Sequence, residues 1–446
     1  MVGFNTFDME RHNTGKTGSG QGAGRQRILI LGGGFAGINL AKRLDAERYE
    51  VLMVDRNNFH GFPPLFYQVA SSGLDASSIA FPLRREFKKR PNTTYHMGHV
   101  KNIDLAAKTV TTSYETIPYD KLVIAIGTMN NFFGIEGLSQ NVFGIKTIAE
   151  ASHTRDEILD RLERGAICKD PGRRRELLSF LVVGGGPSGV EIAGALGEMK
   201  KDVVPREYPE ISPEELRIVL VEGSDHLLGA MDPRASQKAA EYLEQLQVEV
   251  RLNTQFKGYR DKRVTLGDGT TEYWETVIWT AGVCGEALPG IPSEVIGHGG
   301  RLLTDEYCRV KGLEDVYAIG DIALCQTPDY PKGHPQVAQV AIQMGRTLAA
   351  NLNSKGDSDP KPFRYHDKGS MATVGKNKAV VQMGKRFISG SIAWWAWMMI
   401  HLVFIMGMRT KVTVFLTWCW NYLIYSTSLR LLFRPTKYPL RRHWAD

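Results

Sequence analysis

A strand, three glycines spaced G-x-G-x-x-G, a helix and a second strand closed by an acid occur twice in this chain. The first copy runs from Ile28 through Gly32, Gly34 and Gly37, and its second apolar run, Val51–Val54, stops at Asp55. The second runs from Phe180 through Gly184, Gly186 and Gly189, and its apolar run, Arg217–Val221, stops at Glu222. In each copy the first glycine allows a tight turn, the second lets the backbone approach a pyrophosphate, and the third lets the helix pack on its strand. The anion then meets a helix N-terminus, where unpaired N–H groups and the helix dipole favour negative charge. One such fingerprint carries little, because Gly-rich turns occur in unrelated β-α units. Strand, glycines, helix and acid together, twice, point to two dinucleotide sites on an α/β fold with two Rossmann-like domains. Asp55 follows Gly37 by 18 residues, about where an acid meets a ribose hydroxyl. Glu222 follows Gly189 by 33 residues, because the polar stretch Lys200–Glu215 reads as an insertion after the second helix.

The other runs fit around these units. Tyr119–Gly127 is a buried strand ending in a turn, a second place where backbone reaches the first dinucleotide. Residues 144–170 read as a crossover and helix, followed by Leu243–Leu252, a hairpin at Leu266–Gly269 and the strand Thr276–Gly282. Asp315–Asp321 is a short strand whose last acid stands where ligands bind in open α/β sheets; such an Asp is either a ligand contact or a helix cap. The aromatic, Pro-rich stretch Asn58–Ala70 lines either the core or a flavin. The predicted organisation is a disordered leader over 1–25, one nucleotide domain over 26–143 and 295–365, a second inserted over 144–294, and a C-terminal membrane-anchoring and dimerisation region over 366–446. The leader has no apolar core and matches neither a signal nor a transit peptide.

Five cysteines, at 168, 284, 308, 325 and 419, form no C-x-x-C or C-x-x-x-x-C pair, so neither a zinc knuckle nor a redox disulfide is indicated. No metal cluster or hydrolytic triad is indicated either. The net charge of +7 is uneven: residues 366–446 carry twelve lysines and arginines against Asp367 and Asp446. These bases flank aliphatic-aromatic runs, which argues against nucleic acid. Ile392–Met408 is 17 residues long, at the lower edge of spanning length, and Val412–Tyr425, at 14, is too short. Arg409 and Lys411 stand between the runs, and Arg430, Arg434, Lys437, Arg441 and Arg442 follow. Tryptophans 394, 395, 397, 418 and 420 favour a headgroup region, so the expectation is a pair of interfacial helices on an anionic lipid surface. Buried core helices at a dimer interface are the alternative.

The chain resembles the two-dinucleotide flavoproteins and, more narrowly, the type II (non-proton-pumping) NADH:quinone oxidoreductases, from Gln26 onward. The resemblance rests on Gly32-Gly-Gly-Phe35-Ala36-Gly37, Gly186-Pro187-Ser188-Gly189-Val-Glu191, Trp279-Thr-Ala-Gly282, Ala318-Ile-Gly-Asp321 and, most discriminating, Ala338-Gln339-Val-Ala-Ile-Gln343. It implies one non-covalent FAD per chain in the domain over 26–143 and 295–365, held by Gly32, Gly34, Phe35, Ala36, Gly37, Asp55, Arg56, Val100, Gly127, Asp321, Ala338 and Gln339. NADH would lie in the inserted domain over 144–294, on Gly184, Gly186, Pro187, Ser188, Gly189, Glu222 and Gly282. Glu222-Gly-Ser-Asp-His226 offers no Arg or Lys to a 2′-phosphate, which favours NADH over NADPH. Hydride transfer to a flavin needs little acid–base machinery, because the fold only aligns the reacting atoms.

The resemblance also makes Glu191 the nicotinamide-side carboxylate, where otherwise it reads as a first-turn acid stabilised by the dipole. It makes Gln339 and Gln343, four apart on one helical face, amides of a quinone headgroup site. Lys376, preferred to Lys378 because it directly follows Gly375, becomes the base near that site, able to stabilise an oxyanion. The expected protein is a homodimeric peripheral flavoenzyme on the cytoplasmic face of a bacterial inner membrane, with the mitochondrial inner membrane as the lesser option. It would pass electrons from NADH to a membrane quinone without pumping protons. The rival enzyme is a sulfide:quinone or disulfide-type reductase of the same fold, and the rival of another class is an NADH- and flavin-binding redox sensor.

Overall fold

The computed structural model describes residues 24–354, 359–424 and 429–432. The leader apart from Gly24 and Arg25, and the bases Arg434, Lys437, Arg441 and Arg442, lie outside the described residues.

Two five-stranded parallel sheets repeat one plan. In the first the order is Val316–Ala318, Lys121–Ile124, Gln26–Leu31, Tyr49–Asp55, Thr93–Met97. In the second it is Phe143–Gly144, Thr276–Trp279, Ser179–Val183, Arg217–Val221, Glu249–Arg251. Each fingerprint strand is central and lies beside the strand that carries the acid. Sheets covered on both faces need continuous apolar strands, and Ile28–Leu31 and Phe180–Val183 are buried throughout. The edge strand of each sheet crosses the chain order: 143–144 precedes the second unit, and 316–318 returns to the first after it.

The helix Ala338–Asn353 packs on Phe35–Ala41 at glycine distance, since a Cβ on Gly345 would stand 2.5 Å from the Ala36 carbonyl oxygen. On the second unit, the long helix Ile148–Ile167 opens with a capping box in which Thr147 and Glu150 satisfy each other's backbone N–H groups. Glu275, next to the strand Thr276–Trp279, ties that unit together. Its buried carboxylate takes two bonds from Arg173 at 2.7 and 3.0 Å, one from Lys262 at 2.7 Å and one from the Tyr273 hydroxyl at 2.6 Å, with Arg161 at 3.3 Å.

Three expectations need correction. Lys200–Glu215 does not begin as a separate insertion after the second helix: the helix Pro187–Glu198 runs on through a π-helical turn, Met199–Val203, and a short helix, Val204–Glu207, and the stretch anchors itself by burying Val204, Tyr208 and Ile211. The region from 366 does not begin as an anchor. Ser370–Gly375, Lys378–Met383 and Arg386–Ser389 form an antiparallel sheet laid on the fingerprint helix, where a Cβ on Gly194 would stand 2.3 Å from the Val374 carbonyl oxygen. The tryptophans do not share one role. Trp397 and Trp418 are buried in the core, whereas Trp395 and Trp420 are about half exposed, at 45% and 57%. Helical periodicity divides neighbouring aromatics between two faces, which composition does not reveal.

The C-terminal helices Ser391–Phe404 and Met408–Ile424 break at Gly407, whose φ of +81° a glycine adopts without strain. Their outer faces show Ile392, Met399, Val403, Val412, Leu416 and Leu423 to solvent. No helix among the described residues is long and apolar enough to cross a membrane.

Candidate functional site

The two fingerprints match atom for atom. The Gly33 N–H donates to Asp55 Oδ2 at 2.7 Å, and the Gly185 N–H donates to Glu222 Oε2 at 2.6 Å. Each acid also accepts a bond two residues on: Asp55 Oδ1 from the Asn57 N–H at 2.7 Å, and Glu222 Oε1 from the Ser224 N–H at 2.8 Å. Their environments then diverge. Burial pushes the Asp55 carboxyl up despite its N–H donors. At Glu222 burial acts in the same sense, but the Ser224 and Gly185 donors outweigh it and hold the carboxyl below its usual range.

Imaginary Cβ atoms separate the glycines that the chain needs from those that a ligand needs. Gly32 and Gly184 both have φ +109° and abut the ends of neighbouring strands, at 2.3 Å from the Ala125 oxygen and 2.9 Å from Ala281. At Gly37 and Gly189 a Cβ would lie 2.1 and 1.8 Å from the carbonyl oxygens of Gly32 and Gly184. At Gly34 the nearest atom is 4.0 Å away, and at Gly186 nothing lies within 4 Å. Only the middle glycines face open space, at the uncapped starts of Phe35–Ala41 and Pro187–Glu198. The residues therefore fit a phosphate-bearing ligand at both sites.

Around the first cradle, Gly127 has φ +73° and open space beside it. Asp321 lies inside the 3-10 helix Gly320–Ile322 and makes no cap bond, so the capping alternative falls away. Burial pushes its carboxyl up against the pull of Lys146 and Arg301. Val100 opens the strand Val100–Asp104, and Arg56 reaches Glu286 at 3.3 Å. Around the second cradle, Gly282, with φ +92°, closes the turn after Trp279. Pro187 and Ser188 occupy the first two positions of their helix.

A separate cavity of about 200 Å³ joins four parts of the chain: residues 67–73, the helix Pro187–Glu198 with its π turn, the bulged strand and turn around Thr373–Lys376, and the C-terminal helices. Glu191 and Lys376 both line it, together with Tyr67, Gln68, Trp394 and Trp397. Glu191 is the fifth residue of its helix and lies beyond the first turn, so the dipole alternative does not hold. Burial pushes its carboxyl well above the usual range, with only the Thr373 N–H opposing. The Lys376 ammonium donates to the Tyr422 carbonyl at 2.8 Å and lies 4.1 Å from that ring's centroid. Near the rim Arg430 pairs with Glu207 at 2.6 Å.

Gln339 and Gln343 are not among the residues lining this cavity. Each amide grips backbone. Gln339 donates to the Gly369 carbonyl at 2.8 Å and accepts the Lys368 N–H at 3.1 Å. Gln343 donates to the His366 carbonyl and accepts its N–H, both at 3.0 Å. The pair clamps the segment that leads into the Lys376 strand. Sequence reasoning missed Glu198 and Asp202, which also line the cavity. Their signal was there: acids at 191, 198 and 202 recur at helical spacing on a mostly apolar run.

Cys284, Cys308 and Cys325 are free thiols, and burial pushes each of them up, which leaves poor nucleophiles.

Residues 26–345 match the family described as pyridine nucleotide-disulphide oxidoreductase. The chain is 35% identical over 413 residues to the type II NADH:quinone oxidoreductase NdhA of Mycobacterium tuberculosis, covering 89% of this chain and 87% of that protein. Its fold is similar to that of NDH2 from Plasmodium falciparum, solved in complex with NADH, with a TM-score of 0.84 at 20% identity over 92% of this chain and all of that one (100%). It is also similar to the sulfide:quinone oxidoreductase of Aquifex aeolicus, with a TM-score of 0.68 at 18% identity over 90% and 96% of the two chains.

Proposed function

The chain belongs to the type II NADH:quinone oxidoreductases within the pyridine nucleotide-disulphide oxidoreductase family, and from that premise we propose how its two cradles and its cavity divide the work. The enzyme binds a flavin and NADH and reduces a quinone. FAD, one per chain and non-covalent, is assigned to Gly32, Gly34, Gly37, Asp55 and Asp321, and NADH to Gly184, Gly186, Gly189 and Glu222. When bound, the flavin supplies two-electron transfer from nicotinamide to quinone. The chain's residues bind, orient and exclude water. Glu222 accepts a ribose diol and repels a 2′-phosphate, which favours NADH.

The quinone headgroup is assigned to the cavity. The observation that carries this reading is that Glu191 on the NADH-side fingerprint helix and the Lys376 ammonium share one small aromatic-walled cavity with helices whose outer face is apolar. Lys376 is held by Tyr422 for an oxyanion, and Gln339 and Gln343 hold the segment 366–369 that leads into the strand before it. The exposed face of residues 391–424 would rest on an anionic bilayer surface, on the cytoplasmic side of a bacterial inner membrane, with two copies paired as a homodimer. A chain lying on one surface carries no proton path across it, so turnover is not coupled to pumping. The raised thiols do not support a sulfide or disulfide reaction.

The test is anaerobic mixing with NADH, followed by a water-soluble quinone, with the bound cofactor's spectrum recorded. Bleaching by NADH and recovery on quinone addition are expected; a bound flavin that NADH fails to bleach would overturn the assignment.

A further inference from the structure

Glu191, Glu198 and Asp202 line one wall of the cavity. The two glutamates are seven residues apart on the helix Pro187–Glu198 and share its face, and Asp202 follows in the π turn Met199–Val203. Such turns within α-helices recur at functional sites, because they re-aim side chains. Glu198 is gripped from the opposite wall, where Oε1 accepts the backbone N–H of Lys376. The preceding glycine permits this approach: Gly375 has φ +140°, and a Cβ there would lie 2.9 Å from Glu198 Oε1.

The reaction needs a proton beyond those that NADH carries. NADH, quinone and H⁺ give NAD⁺ and quinol: two electrons and one proton leave NADH as hydride, and the second proton comes from solution. Both quinone C=O groups end as C–OH.

We propose that Glu198 hands the solution-derived proton to the quinone in this cavity and that Asp202 reloads it. The carboxyl O–H of Glu198 breaks as a quinol O–H forms, and the carboxylate left behind takes a proton from water by way of Asp202. This rests on the cavity being the quinone site. Glu191 is held by the Thr373 N–H, away from the Lys376 backbone that grips Glu198, and burial pushes its carboxyl well above the usual range. Burial raises Glu198 to about 7, Asp202 adds to the rise, and the Lys376 N–H and the charges of Lys378 and Lys376 oppose it. A group poised there both gives and regains a proton at neutral pH. Of the other titratable groups around it, burial keeps the Tyr67 hydroxyl neutral, and Arg430 is paired with Glu207.

The experiment is quinone turnover of the holoenzyme against pH, beside anaerobic flavin reduction by NADH. Glu198→Gln keeps an oxygen for the Lys376 N–H and is expected to melt no lower than wild type. Its quinone turnover should fall about 100-fold, with the decline in rate through pH 7 flattened and flavin bleaching by NADH unchanged. Glu198→Asp should restore part of the rate. Asp202→Asn removes a charge that raises Glu198, so its decline in rate should move to lower pH; a purely structural role would leave the midpoint in place. With wild type active, an unchanged rate and profile in Glu198→Gln overturns the relay alone. A wild type that NADH bleaches but that reduces no quinone overturns the site reading and the relay together.

Discussion

At the scale of single residues, the glycines give opposed predictions from chemically identical changes. Gly186 has an ordinary backbone, φ −71°, and open space at its Cβ position, so Gly186→Ala should fold normally and weaken NADH binding by about tenfold or more. Gly189→Ala would drive a Cβ to 1.8 Å from the Gly184 oxygen and should destabilise the protein by about 3 kcal/mol or more. Melting curves with and without NADH separate the two. Glu222→Gln keeps an acceptor but removes the charge, so the ratio of NADH to NADPH activity should fall, measured as kcat/KM for each nucleotide. These roles were legible in the sequence because turn, approach and packing sit within six residues of each other. Glu198 was not legible: it matters through the Lys376 N–H, 178 residues away in the chain.

At the scale of elements, Glu275 joins the helix Ile148–Ile167, the helix Pro171–Leu177, the small antiparallel sheet over 256–273 through Lys262 and Tyr273, and the strand Thr276–Trp279 that it precedes. Burial would raise its carboxyl, but Arg173, Lys262, Tyr273 and Arg161 hold it far below the usual range. A depressed folded value means stability that is present above the unfolded value, near 4.3, and lost as pH falls below it. Urea midpoints should therefore drop on acidification from pH 5 to pH 3. In Glu275→Gln that drop should be smaller, although the variant is weaker at pH 7 by about 3–5 kcal/mol because Arg161, Arg173 and Lys262 lose the buried charge they share. The C-terminal helices divide similarly. Trp397→Ala should cost about 3–5 kcal/mol, since the side chain is fully buried, while Trp420→Ala should leave melting unchanged and reduce binding to vesicles. Both tryptophans sit in similar local sequence, and only packing distinguishes them.

At the scale of the whole molecule, apolar side chains exposed along residues 391–424 and a basic C-terminal region predict flotation with vesicles containing anionic lipid, weakened but not abolished by about 0.5 M salt. Failure to float with any vesicle would remove the membrane role of these helices. Two Rossmann-like units and the acid that ends each second strand were determined by the sequence alone, because a parallel strand, its glycine turn and its helix are local and their apolar runs are continuous. What the tertiary structure decided is the cavity and its chemistry. Its walls come from residues 67–73, 191–203, 373–376 and 394–422 with Arg430, brought together when Gly194 and Gly375 let a C-terminal strand lie directly on the second fingerprint helix. That contact buries Glu191 beside Thr373 and brings Glu198 onto the Lys376 N–H. Gln339 and Gln343 are tied to backbone at residues 366–369, contacts 23 to 30 residues away in the chain that local sequence does not reveal.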